Sequence, residues 1–244
     1  MKINIWVQNP DRFDVANQTK KKKVKLGKGE KMQIVFLLYE GMTALDMVGP
    51  HEILCRVPKA QVYRVALSKG PIRTDSGLVL MADYSLSDVR EVDVLVIPGA
   101  GSATTLREYP KVLDWIRVMH RASTWTVSVC TGSLILGAAG ILSGLRATTH
   151  WAALDRLGTW GAIAVSERVV EEGKVITAAG VSAGIDMALI LASKIGGVQF
   201  AEALQLAIEY DPEPPFNSGS PEKVNSMIRE ALRARMTALF EELC

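Results

Sequence analysis

Short apolar runs alternate with stretches of helical period along most of the chain, starting at Gln33–Tyr39 (QIVFLLY). A run apolar at every position suits a strand buried on both faces, as in a parallel sheet. A helix is predicted over Thr43–Arg56 and a second strand over Gln61–Leu67 (QVYRVAL), giving the strand–helix–strand rhythm of that architecture. Residues 71–82 predict a small hairpin around Ser76-Gly77. Asp93–Ile97 (DVLVI) reads as another buried strand, stopped by the Gly-rich turn Pro98-Gly99-Ala100-Gly101. Beyond Pro110, the residues Val112, Leu113, Ile116 and Met119 fall at helical spacing. Trp125–Val129 (WTVSV) is the next strand; it ends at Cys130-Thr131-Gly132, and Leu134, Ile135, Ala138 and Ala139 continue as helix.

Further on, Arg168–Val170 and Lys174–Thr177 flank a Glu171-Glu172-Gly173 turn, and helices are predicted over Ser182–Lys194, Val198–Tyr210 and 221–243. The intervening Asp211–Pro221 (DPEPPFNSGSP) is too rich in proline and glycine for regular structure. No internal repeat is present. The pattern therefore predicts an α/β fold, a single domain with a mostly parallel sheet and helices on both faces, and the 244 residues suit one large core.

The charge balance changes the picture at one end. Residues 1–31 hold nine Lys/Arg against three Asp/Glu, while the rest holds nineteen against twenty-three. The basic excess around Lys20–Lys23 and Lys25 reads as a solvated arm. Since Met32 opens the first apolar strand, residues 1–31 are expected to be a basic, disordered or added extension, and 32–244 the folded domain. Nuclear targeting or nucleic-acid contact is a minor reading of that run. Ile3, Ile5, Trp6 and Val7 are followed at once by polar residues, so a secretory signal is not expected. The uncharged stretch Ala122–Leu145 suits a buried strand followed by a buried helix better than a membrane span. Cys55, Cys130 and Cys244 make no disulfide framework, and no CxxC or His-x-x-x-His spacing offers a metal site. A reduced, cytoplasmic compartment is the expectation, with no nucleic-acid or membrane partner.

Cys130 carries the chemistry of this reading. It sits where a β-branched strand meets a helix, with Gly132 two positions on, the pattern of a nucleophile elbow that thrusts a side chain out of a sheet. The positive end of the following helix is expected to lower the thiol pKa and favour the thiolate. Cys55 and Cys244 have no activating neighbour in sequence. The N–H groups of Gly99, Ala100 and Gly101, at the carboxyl end of a neighbouring strand, are candidate donors to developing negative charge, or simply turn formers. Asp46 lies in an apolar setting (Leu45, Met47, Val48) just past the first strand and is a candidate acid–base group. Its alternative role is to cap its own helix, and His51 and Glu52 compete for the catalytic one. His150, in Ala147–Trp151 (ATTHW), completes a Cys–His pair only if folding brings it to Cys130.

With these residues in view, five ordered blocks resemble the ThiJ/PfpI superfamily of class I glutamine-amidotransferase-like, flavodoxin-like folds, and within it the isonitrile (isocyanide) hydratases. They are LDMVGPHE (Leu45–Glu52), SVCTGSLILGAAG (Ser128–Gly140), ATTHW, AGIDMAL (Ala183–Leu189) and EYDPEPPFNSGSP (Glu209–Pro221). The resemblance implies that Cys130 attacks, Asp46 works beside it and Thr131 lines the pocket. It also implies a homodimer without a cofactor. Threonine follows the cysteine where the protease-like Cys–His branch has histidine. Transcription regulators with similar blocks carry a helix-turn-helix after the domain, and the 23 residues beyond Pro221 are too few for one. The activity expected is hydration of isocyanides to N-substituted formamides. The alternatives are a cysteine glyoxalase or amide hydrolase, or a thiol stress sensor or holdase.

Overall fold

The structure, a computed structural model, describes residues 31–101 and 110–241. Among them a seven-stranded sheet runs in the order β10-β11-β7-β6-β1-β2-β5. Within it β1 (Met32–Leu37) has β2 (Ala60–Ala66) and the short β5 (Tyr84–Ser85) on one side. On the other side lie β6 (Val94–Ile97), β7 (Trp125–Val129) and β11 (Val175–Ala178). All these neighbours pair in parallel; only β10 (Val169–Glu172) runs antiparallel, against β11. The expected class, an α/β domain with a mostly parallel sheet, is what forms. Every residue of β6 and β7 is buried, as their uniformly apolar or small sequences require.

The direction of winding reverses between β1 and β6, because β1 connects to β2 on one side while β6 connects to β7 on the other. Right-handed crossovers therefore place α1 (Ala44–Leu54) and α2 (Pro110–Ala122) on opposite faces. Helix α4 (Ala183–Gly196) packs on α1 and on α5 (Val198–Ala207), while α3 (Gly132–Ala138) packs beside α2. The α1–α4 crossing is close: a Cβ on Gly49 would stand 3.1 Å from Ile185, and one on Gly184 would stand 3.1 Å from Pro50.

The hairpin read over 71–82 forms as β3 (Gly70–Arg73) and β4 (Val79–Ala82). The terminal helix, expected over 221–243, is shorter: α6 covers Ser226–Glu241. The predicted Val198–Tyr210 helix likewise stops at Ala207, and Glu209 turns the chain with a positive φ of 53°. The loop 211–219 is irregular and exposed throughout. Between α3 and β10 lie elements that the hydrophobic pattern did not predict, the short parallel pair β8 (Arg146–Ala147) and β9 (Ile163–Ala164) and a 3-10 segment, Trp151–Trp160. They are too short for a period to declare itself. Among the described residues no helix is long and apolar enough to cross a membrane. The basic run Lys20–Lys25 and Cys244 lie outside the described residues.

Candidate active site

Ligand sites in open parallel sheets form outside the carboxyl ends of strands, where the direction of winding reverses. Here the loops leaving β1, β6, β7 and β11 meet at that edge.

Cys130 follows β7 directly and adopts φ 57°, a left-handed conformation that costs a non-glycine residue roughly 1–3 kcal/mol. Four hydrogen bonds hold it there. Its N–H is shared between the carbonyls of Ala178 (3.1 Å) and Ala179 (2.8 Å). Its carbonyl accepts from the hydroxyls of Thr149 (3.0 Å) and Ser133 (3.3 Å). The ATTHW block thus serves the elbow through Thr149. Gly132 is required by space, because a Cβ there would stand 2.2 Å from the carbonyl oxygen of Ile97. That atom belongs to the end of β6 and cannot rotate away. Gly132→Ala is therefore expected to lower stability by about 3 kcal/mol or more, read as a lower denaturation midpoint in urea.

The turn after β6 is locked to the elbow just as closely. A Cβ on Gly99 would lie 2.5 Å from the Thr131 nitrogen. The Thr131 hydroxyl donates to the Ala100 carbonyl and accepts from the Ala100 N–H, both at 2.9 Å. The Gly99 N–H donates to Asp46 Oδ2 at 2.9 Å. Two of the three N–H groups considered as donors to a reacting atom are thus already engaged, Gly99 with the carboxylate and Ala100 with Thr131. Gly101 closes the turn beside Asp75. Residues 102–109 lie outside the described residues.

Asp46 is fully buried in the first turn of α1. Its carboxylate reaches across to Gly99 and not to the N–H groups of its own helix, which removes the capping role. Oδ1 has no nitrogen or oxygen partner, and the Cys130 thiol interacts with the carboxyl. Burial, above all, pushes the Asp46 pKa up to about 7; the Gly99 N–H opposes that rise and the charge of Asp75 adds to it. His51 and Glu52 are occupied elsewhere: the His51 ring lies tilted against Phe36 at 5.6 Å, and Glu52 pairs with Arg56 at 2.9 Å.

The expected lowering of the thiol pKa is corrected by the structure. Cys130 is only 5% exposed, and burial, then the Asp46 charge, raise its pKa. The N–H groups of Thr131 and Val181 and the Thr131 side chain act the other way and favour the thiolate. Desolvation of the buried sulfur is the largest influence and outweighs those hydrogen bonds. Each group shifts the ionisation of the other, so the carboxyl and thiol titrate as a pair.

His150 caps the 3-10 segment, its Nδ1 accepting from the Ala152 N–H at 3.3 Å. Its ring stands over Gly180, where a Cβ would come within 3.2 Å, and burial lowers its pKa. Cys55, half-buried at the end of α1, has its sulfur 3.3 Å from the Arg56 guanidinium, and burial raises its pKa.

Three contributors escaped the sequence reading. Val181, in the turn after β11, supplies an N–H to the sulfur; the signal was there, because Ala178-Ala179-Gly180 repeats the strand–turn–helix grammar of the elbow. Tyr39, buried at the end of β1, donates its hydroxyl to the Pro98 carbonyl at 2.9 Å and feels the charges of Asp46, Cys130 and Asp75. Asp75 sits at the tip of the β3–β4 hairpin. Among the described residues no cluster of three or more His, Cys, Asp or Glu side chains is arranged to hold a metal. A groove of about 410 Å³ lies elsewhere, between Trp151, Leu154, Arg229 and Arg233, and includes none of the thiol's neighbours.

Residues 32–194 match the profile of the DJ-1/PfpI family. The chain belongs to that family. Among its relatives, an isonitrile hydratase from Pseudomonas putida is 44% identical over 204 residues, covering 84% of this chain and 90% of that protein. The HTH-type transcriptional regulator CdhR from Pseudomonas aeruginosa is 32% identical over 68% of this chain, which spans 51% of the regulator. A crystal structure of a ThiJ/PfpI family protein from Pseudomonas syringae superposes with a TM-score of 0.83 at 36% identity, covering 87% of this chain and 89% of its own. The matched residues contain four of the five blocks, Glu209–Pro221 lying beyond them, and the family includes both enzymes and regulators.

Proposed function

We propose that this DJ-1/PfpI protein hydrates isocyanides to N-substituted formamides through a covalent intermediate on Cys130. The observation that carries the reading is a fully buried carboxyl, Asp46, able to keep its proton close to neutral pH beside a thiol on a strained elbow. An isocyanide carbon accepts a nucleophile and a proton at the same atom. A neutral thiol–carboxyl pair supplies both without building net charge in a desolvated site.

In the first step the Cys130 sulfur bonds to the terminal carbon and Asp46 delivers a proton to that carbon, leaving a thioimidate; the thiol proton replaces the one Asp46 gave. Water then adds across the carbon–nitrogen double bond, hydroxyl to carbon and proton to nitrogen. The tetrahedral adduct collapses, the carbon–sulfur bond breaks, and the hydroxyl proton returns to the pair as the formamide leaves. Dividing one hydration into two additions is what the covalent step contributes. The 44% identity to an isonitrile hydratase supports the substrate class. The sensor reading needs an exposed, easily oxidised thiol, and the 5% exposure of Cys130 weighs against it.

The test is incubation of purified protein with a panel of alkyl isocyanides, with formamide followed by chromatography. Methylglyoxal is run in parallel. Lactate without any formamide would replace this reading with the glyoxalase one. We also propose a homodimer, supported by the exposed apolar side chains Phe216 of the loop and Met227, Ile228 and Leu232 of α6; sedimentation of the full chain as a monomer would refute it.

A further inference from the structure

We propose that Asp75, fastened by Thr43 and Met42 between the β3–β4 hairpin tip, the start of α1 and the turn after β6, is a positioning residue that acts through Asp46 on the Cys130 thiol. The inference deepens the hydratase reading and rests on it for its meaning in catalysis. The hairpin tip is tied to the site by several bonds. The Thr43 hydroxyl donates to Asp75 Oδ2 at 2.6 Å, and the Asp75 N–H donates to the Met42 carbonyl at 3.1 Å. Met42 in turn bridges to Ala100, and the Thr43 N–H donates to the Gly99 carbonyl at 2.9 Å. Asp75 Oδ2 would also lie 3.5 Å from a Cβ on Gly101. One acidic side chain is thus fastened between the start of α1, which carries Asp46, and the turn that hydrogen-bonds it.

Such a residue at a turn tip needs no charge to do turn work, since Asn and Ser serve there equally well. The charged groups around it define what its charge does. Asp46 is faced by Asp75 from the hairpin, by Tyr39 from the end of β1 and by Cys130 from the elbow. On the hairpin side, Arg73 turns its guanidinium to the Gly77 carbonyl, and Glu40 accepts from the Arg73 N–H. Asp75 therefore acts on Asp46 as an anion near a buried carboxyl and opposes its ionisation.

The consequence for the sulfur follows from the shared titration. When the pair has lost one proton, the other stays either on the carboxyl, leaving a thiolate, or on the thiol, leaving a carboxylate. An anion on the carboxyl side penalises the second arrangement and so enlarges the thiolate fraction, the form that an alkylating reagent reads.

The experiment is the pH dependence of Cys130 alkylation by iodoacetamide on the full chain, read by peptide mass spectrometry. Asp75→Asn keeps an oxygen for Thr43 and removes the charge. It is expected to move the inflection down by roughly half a pH unit, lower the plateau above it about threefold, and leave the rate below it unchanged. Asp75→Ser, equally compatible with the turn, carries the same expectation, so poor folding of one variant leaves the other to decide. A merely structural latch would not move inflection and plateau together. An unchanged profile in a folded variant overturns the proposal. Because iodoacetamide stands in for substrate, the two readings fail separately. A shifted profile in a protein that makes no formamide sinks the hydratase alone, whereas an unshifted profile with normal turnover sinks the role of Asp75 alone.

Discussion

Cys130→Ala is expected to abolish formamide production from every isocyanide tested, a loss of at least about 10⁴-fold, while the protein stays folded. The chemistry leaves no substitute. The sulfur is the one thiol on the elbow, and the other thiol among the described residues, Cys55, lies at the far end of α1. Folding should survive because the bonds that fix position 130 run through its backbone: Ala178 and Ala179 accept its N–H, and Thr149 and Ser133 bond its carbonyl. Alanine at φ 57° keeps the same strain as cysteine, so no new conformational cost arises. Removing the sulfur leaves a small gap, worth on the order of 1 kcal/mol. Intact circular dichroism with no turnover is the expected pair of results. Residual turnover above a tenth of wild type would mean that the sulfur is not the attacking atom.

The elbow was legible because it is a local event. A β-branched strand, a cysteine and a glycine two residues later are contiguous, and the space that excludes a side chain at Gly132 is set by the neighbouring strand of the same sheet. Asp46 was legible as an oddity, a carboxylate among apolar residues, but its partner was not. The Gly99 N–H that it accepts lies 53 residues away, and only the order of strands brings the two together. The same holds for Asp75, ordinary in its own segment, whereas Val181 follows a strand–turn–helix pattern that is legible but names no partner. The thiol pKa was not legible, because the helix terminus shows in the sequence whereas the burial imposed by a position between two strand ends does not. His150 drew notice as a side chain of known chemistry, whereas the neighbouring Thr149 is the residue that touches the elbow. A hydroxyl that binds a backbone carbonyl leaves no trace in residue type alone.

Asp46→Asn is expected to lower turnover by about 10³-fold or more and, at the same time, to stabilise the protein above neutral pH. The loss of activity follows from geometry. Asparagine can still accept the Gly99 N–H, so the turn stays in place, but the amide carries no proton that it can deliver to carbon. The gain in stability follows from the raised pKa. In the unfolded chain Asp46 loses its proton near the ordinary aspartate value of 3.8, whereas in the fold it holds it to about 7. Between these values the native state binds the extra proton, so stability falls as pH rises through that window and the full cost of burying the charge is present above it. That cost is on the order of a few kcal/mol. An uncharged amide escapes it, so the melting temperature of Asp46→Asn should match wild type near pH 4 and exceed it progressively up to pH 8. Parallel melting curves across that range would show that Asp46 is not the group that titrates, and near-normal turnover would remove it from the reaction. Activity and stability moving in opposite directions on one substitution is what a carboxyl buried for its proton predicts, and a carboxyl buried for structure does not.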